Sequence, residues 1–156
     1  MTGLDINKKF REYGRTLGCC ESFTGGAFAK EITKYSGASH FFKGGLITYA
    51  TEEKSRILGI GYDLIDRVGV VSQEVAAEMA GHAKVLLNVD YCISFTGNAG
   101  PVAMEDKPVG EIYIGVSVYD TTRVYKYNFE GNREEIISQA IEEGIKVLIE
   151  TLEEKK

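Results

Sequence analysis

The sequence predicts a three-layer α/β/α sandwich built on a mixed sheet of about five strands. Three observations carry that prediction. Short apolar strands alternate with helices early in the chain, two strand-like segments between residues 112 and 129 form a hairpin, and a long amphipathic helix closes the sequence. A length of 156 residues suits a single domain spanning 1–156. Its composition, 44% hydrophobic and 26% charged, matches a folded globular chain and excludes a disordered one.

The elements follow in order. A helix is predicted near Asp5–Tyr13, then a short apolar strand, Thr16–Glu21, which runs straight into Ser22-Phe23-Thr24-Gly25-Gly26. Phe28, Ala29 and Ile32 mark a helix that reaches about Tyr35. Phe41–Tyr49 reads as a second strand, and Thr51–Leu58 as a short helix capped by Thr51, with Glu52 and Glu53 in its first turn. Ser72 is placed as the N-cap of a longer helix, in which Val75, Met79, Ala80, Ala83, Leu86 and Leu87 form a stripe. Tyr91–Phe95 is a buried strand. The loop after it, Thr96–Val109, holds both prolines of the chain, Pro101 and Pro108. A proline-stiffened loop after a buried strand is where an α/β domain places ligand contacts. Ile112–Tyr119 and Thr122–Phe129 form the hairpin. In the second of these, Tyr125, Tyr127 and Phe129 alternate with Lys126 and Asn128, which wets one face and puts the strand near an edge. The last helix starts at Asn132 with Glu135 three residues on, as in a capping box, and buries Ile137, Ile141, Ile145, Leu148 and Leu152.

Several function classes are excluded by composition. The net charge is −5 and no basic block exists, so nucleic acid is not an expected partner. No apolar run approaches the eighteen or so residues of a membrane helix, and the first residues lack the layout of a signal peptide. A cytoplasmic location, away from membranes, is therefore expected. Cys19, Cys20 and Cys92 are odd in number and fall in apolar strands, as core thiols do. No His/Cys/Asp cluster has metal-ligand spacing, and neither a phosphate-loop lysine nor a dinucleotide glycine pattern is present. No metal and no cofactor is expected.

Glycine is abundant, at 18 residues. Its densest use, after Ser22, makes a turn that exposes a hydroxyl at the end of a strand and aims helix N–H groups outward. Ser22 or Thr24 as a simple cap, with glycines that only permit close packing, is the commoner role for such a segment. A serine nucleophile also needs a base. His40 and His82 lack a catalytic setting, which leaves a Ser-His-Asp triad a minority reading and Lys54 as the other option. A free lysine titrates near 10.4, so bringing it to about pH 7 costs roughly 4.6 kcal/mol, supplied by burial and a neighbouring cation. On sequence context alone Lys54 reads as a solvated helix residue.

A resemblance adds to these readings. Glu21-Ser22-Phe23-Thr24-Gly25-Gly26, Ser36-Gly37-Ala38-Ser39, Gly44-Gly45-Leu46-Ile47-Thr48-Tyr49, Lys54, Leu58-Gly59, Val70-Val71-Ser72, Met79-Ala80, Thr96-Gly97-Asn98-Ala99-Gly100-Pro101 and Lys107-Pro108-Val109-Gly110 occur in the order of the CinA C-terminal domain family. The match runs from about Thr16 to Arg133 and more weakly beyond. The chain resembles the family's stand-alone form, without the N-terminal domain of the larger members. The resemblance implies an α/β/α sandwich and a nicotinamide-nucleotide amidase, which converts nicotinamide mononucleotide to nicotinate mononucleotide and ammonia. It places the family's serine nucleophile on Ser22, its lysine on Lys54 and its active-site tyrosine on Tyr49. The loop hydroxyl falls on Thr96, beside Gly97, and an arginine on Arg133.

Three positions depart from the family pattern. Phe23 stands where Cys is usual, Asn98 where an apolar residue is usual, and Val102-Ala103-Met104 where glycines are common. On this reading Ser22 attacks a carboxamide, Lys54 is its base, and Tyr49 orients the lysine or the leaving group. Donors at Thr24, Gly25 and Gly26, or at the Thr96 loop, hold the oxyanion, while Arg133 or a helix N-terminus takes the substrate phosphate. Two alternatives stay open: a non-catalytic nucleotide-binding or protein-interaction module of the same fold, and a serine amidase acting on another small amide. A homo-oligomer, with a dimer favoured, is expected from the edge strand Thr122–Phe129 and the terminal helix.

Overall fold

Segments of five to eight residues make the strands, from the wholly buried Leu17–Glu21 and Glu111–Val118 to the half-exposed Thr121–Asn128, and helices of six to twenty-three residues lie between and over them. In the computed structural model, which describes residues 1–155, the order is α1 (Gly3–Tyr13), β1 (Leu17–Glu21), α2 (Ala27–Thr33), β2 (Phe42–Ile47), α3 (Thr51–Arg56), α4 (Tyr62–Val68), α5 (Gln73–Leu87), β3 (Tyr91–Gly97), β4 (Glu111–Val118), β5 (Thr121–Asn128) and α6 (Arg133–Lys155). The five strands form one mixed sheet in the order β2-β1-β3-β4-β5. β1 runs parallel to both β2 and β3, while β3–β4 and β4–β5 are antiparallel, the latter pair being the expected hairpin.

Helices cover both faces, as the predicted sandwich requires. On one side Ile6 and Phe10 of α1, Phe28 and Ile32 of α2, and Ile136, Ala140, Ile145 and Leu148 of α6 pack on Leu17, Ile93, Phe95 and Ile114. On the other, Val75, Ala76, Met79 and Ala83 of α5 join Ile65 of α4 over Cys20, Cys92 and Tyr113. The three cysteines are buried free thiols. Because β1 lies between β2 and β3, the chain leaves β1 along one face through α2 and crosses to β3 along the other through α5. The carboxyl ends of β1, β2 and β3 therefore share one rim of the sheet, where such folds bind ligands.

Element boundaries moved where local chemistry competes. Ala50, not Thr51, is the N-cap of α3, and no side chain caps it. Ser72 does cap α5, accepting from Val75 N–H at 3.2 Å. The predicted α5 stripe fails at its end, where Leu86 is 58% exposed. α4 was not foreseen, because its apolar Leu64, Ile65 and Val68 span too few residues to show a period. β3 continues two residues past Phe95, so Thr96 and Gly97 belong to a strand. Asn132 and Glu135 form the expected reciprocal cap of α6, at 2.9 Å in each direction. The apolar side of α6 is spent in the core, and Tyr125 and Tyr127 of the edge strand pack against that same core. The strongly exposed apolar side chains lie elsewhere, at Val85 and Leu86 of α5 among others.

Candidate functional site

A cleft of about 330 Å³ opens on the rim formed by the ends of β1, β2 and β3. Ser22 enters it from the turn after β1, Tyr49 and Lys54 from the segment after β2, and Thr96 and Gly97 from the end of β3. Arg133, the first residue of α6, closes one side, and Pro101, Val102 and Met104 form part of the other.

Lys54 Nζ lies 2.9 Å from Ser22 Oγ and 2.5 Å from the Thr48 carbonyl oxygen. The short helix α3 turns this lysine inward, so it is 1% exposed rather than solvated. Burial lowers its ammonium from 10.5 to about 8, against the opposing influence of Cys20 and Glu105. About 9% of the lysine is then neutral at pH 7, against well under a tenth of a percent for a free one. In the charged form Nζ–H donates to Oγ. In the neutral form the amine lone pair accepts the hydroxyl proton across the same distance. A pair that can reverse its hydrogen bond in this way can activate the serine.

Arg133 donates from Nη1 to the Gly100 carbonyl at 2.8 Å and from Nη2 to Tyr49 Oη at 3.1 Å. Since Tyr49 accepts from the arginine, its own phenolic proton is free to point into the cleft. Among the described residues no carboxylate forms an ion pair with Arg133. Thr96 lines the cleft, is 1% exposed and donates its hydroxyl to the Val70 carbonyl at 2.7 Å, which braces the cleft wall.

Thr24, Gly25 and Gly26 do not line the cleft. The reason is Glu21, a fully buried carboxylate at the end of β1. Its Oε1 accepts from Thr24 Oγ1 at 2.6 Å, Gly26 N–H at 3.2 Å and Phe28 N–H at 3.0 Å, and its Oε2 accepts from Ala29 N–H at 3.0 Å. Gly25 N–H is bonded to the Ser22 carbonyl at 3.1 Å. The N–H groups expected to face a substrate anion are thus occupied from within. The positive φ of Gly25 and Gly26, 59° and 104°, lets the chain fold around that carboxylate. A buried acid at a strand end, followed by Ser-Phe-Thr-Gly-Gly, was the signal for this internal cap.

Asn98 has a defined task in the cleft wall. It is 3% exposed, its Oδ1 accepts from Gly100 N–H at 3.1 Å, and its Nδ2 donates to the Lys107 carbonyl at 3.3 Å. Its backbone bonds Glu111 O and Gly110 N at 3.0 and 2.7 Å. One side chain therefore stitches both ends of the loop that walls the cleft.

Comparison with known proteins meets this geometry from the other side. The sequence profile of the CinA C-terminal domain matches residues 3–152. The chain belongs to the CinA C-terminal domain family. It is 39% identical over 145 residues to a competence-damage inducible protein of Bacillus subtilis, covering 93% of this chain and 35% of that protein. A protein of the same description from Pediococcus pentosaceus is 42% identical over 138 residues, 88% of this chain and 33% of its own. The chain thus spans about a third of the curated relatives it matches. Among solved structures, the competence/damage inducible protein CihA of Agrobacterium tumefaciens superposes with a TM-score of 0.92 at 27% identity, over 97% of this chain and 93% of that one. A CinA superfamily protein of Klebsiella pneumoniae gives 0.95 at 23% identity, covering 97% and 96%, a likeness of fold alone.

Proposed function

We propose that this CinA-family domain is an amidohydrolase that converts nicotinamide mononucleotide to nicotinate mononucleotide and ammonia. The observation that carries the reading is the Ser22–Lys54 contact, a buried lysine held 2.9 Å from a hydroxyl at the floor of a ligand-sized cleft. Membership of a family that includes nicotinamide mononucleotide amidases supports this choice of substrate class.

Neutral Lys54 takes the Ser22 proton as Oγ attacks the carboxamide carbon, and the resulting ammonium gives a proton to the departing ammonia. The ester left on Ser22 is cleaved by water, which Lys54 deprotonates in turn; nicotinate mononucleotide leaves and Ser22 regains its proton. No step calls for a metal or an organic cofactor. The substrate's pyridinium helps twice, by withdrawing electrons from the amide carbon and by disfavouring the charged lysine. Tyr49 offers its phenolic proton to the oxyanion or the leaving group, replacing the donors that Glu21 occupies at α2. Arg133 is the candidate for the substrate phosphate, since its guanidinium is unpaired by any described carboxylate.

Ammonia release from nicotinamide mononucleotide tests the reading. Ser22→Ala should cut turnover by about 10³-fold or more while the thermal unfolding midpoint stays near that of the parent. Binding of the nucleotide without ammonia release by the parent chain would instead favour a non-catalytic module.

A further inference from the structure

We propose that Arg133 is a positioning residue as well as a candidate holder of the substrate phosphate: its guanidinium braces Tyr49 across the mouth of the cleft, from the fixed carbonyl of Gly100. The proposal rests on the amidase reading for what the Tyr49 hydroxyl does there, and not for the brace itself.

The brace has a rigid end and a loose one. Gly100 is buried and turns with a φ of 78°, and a Cβ there would come within 2.5 Å of Val109 Cγ1, so glycine is the residue that fits. Asn98 Oδ1 accepts from the Gly100 N–H at 3.1 Å, and the Gly100 carbonyl accepts from Arg133 Nη1 at 2.8 Å. The loose end is Tyr49. Thr48 before it is tied at both backbone polar groups, its N–H to the Glu21 carbonyl at 3.0 Å and its own carbonyl to Lys54 Nζ. The Tyr49 ring, by contrast, is 60% exposed and joins neither hydrophobic cluster. Among the described residues its hydroxyl has one hydrogen-bond partner, Arg133 Nη2 at 3.1 Å. A ring with so little packing takes its direction from that bond, which must offset the entropy of holding it still.

Arg133 is suited to the task. The reciprocal Asn132–Glu135 cap fixes the first turn of α6, so the arginine leaves a settled backbone. Its planar fork presents one N–H to Gly100 and another to Tyr49, and the remaining N–H groups stay available for an anion. Bracing and phosphate binding therefore do not compete. They also separate by substitution, because a lysine keeps the charge but lacks the fork that spans the two acceptors.

The test is a double-mutant cycle of Arg133→Lys and Tyr49→Phe in the full chain, read as kcat and KM for nicotinamide mononucleotide. It is joined to the NMR spectrum of the ligand-free protein labelled at tyrosine Cζ, in which the Tyr49 resonance is identified by its loss in Tyr49→Phe. Arg133→Lys should lower kcat about tenfold and raise KM by less than about threefold. In the Tyr49→Phe background the same change should lower kcat by less than about twofold, because the hydroxyl it positions is gone. The Tyr49 resonance should move in Arg133→Lys toward that of a tyrosine free in water. A kcat loss repeated in full in the Tyr49→Phe background overturns the proposal, and so does an unchanged kcat in Arg133→Lys or an unmoved resonance. If the parent releases no ammonia, the amidase reading fails, and the resonance alone decides whether Arg133 braces Tyr49.

Discussion

If Lys54 is the base, the pH dependence of the free enzyme must follow its ionisation, and the structure sets where. Burial brings the group to about 8. The neutral fraction then rises from about 9% at pH 7 to half at pH 8, so kcat/KM should increase about fivefold over that interval. From pH 8 to 9.5 the further gain should be less than twofold. The kcat profile, which reports the substrate complex, should have its midpoint lower still, because the bound pyridinium adds a positive charge beside the lysine. Replacing Lys54 with Arg keeps the positive charge but removes any accessible neutral form. That variant should lose about 10²–10⁴-fold in kcat with a much smaller change in KM. Continuous ammonia detection across pH 6–10, in buffers of constant ionic strength, gives both profiles. A flat profile between pH 6.5 and 9, or an arginine variant with near-normal turnover, would refute the assignment of Lys54 as base.

Two further outcomes follow from the same contacts. The folded-state value of Lys54 lies below its unfolded value of 10.5, so the native state binds fewer protons between about pH 8 and 10.5, and the lysine's cost to stability, fully present below pH 8, is relieved as pH rises through that window. The cost is about 3 kcal/mol; less about 1 kcal/mol for a Thr48 carbonyl left without its donor, Lys54→Met should be stabilised by about 2 kcal/mol at pH 7. In thermal melts that is a rise of about 4–8 °C, shrinking by pH 10, and a variant melting below the parent at pH 7 contradicts it. Arg133→Ala should raise KM for nicotinamide mononucleotide about 10–100-fold but change it little for the riboside that lacks the phosphate. Equal losses on the two substrates would remove Arg133 from phosphate binding.

The fold was legible wherever a pattern repeats. The stripe of α5 and the alternation of Tyr125 and Tyr127 follow a period, the Asn132–Glu135 cap is a fixed three-residue spacing of two polar residues, and the structure has them all in outline. α4 and the true cap of α3 were not legible, since a seven-residue helix shows too little of a period and an uncapped start leaves no polar mark. Residue types told little about the cleft on their own. Lys54 looked solvated because nothing in Thr51-Glu52-Glu53-Lys54 shows that α3 turns its fourth residue toward β1. The resemblance to a family, rather than spacing, brought Ser22, Tyr49, Lys54, Thr96 and Arg133 together before the coordinates did. Thr24, Gly25 and Gly26 went astray for a simple reason: the anion that fills their turn belongs to the chain itself.

That internal anion has a consequence for selectivity. Many α/β folds leave the positive end of the helix after the first strand open, and any phosphate or sulfate in solution competes for it. Here Glu21 is a permanent tenant of that position, tethered one residue before Ser22 and shielded from solvent. An inorganic anion that enters the cleft therefore finds the N–H groups at the start of α2 already taken, and only side-chain cations are left to meet it.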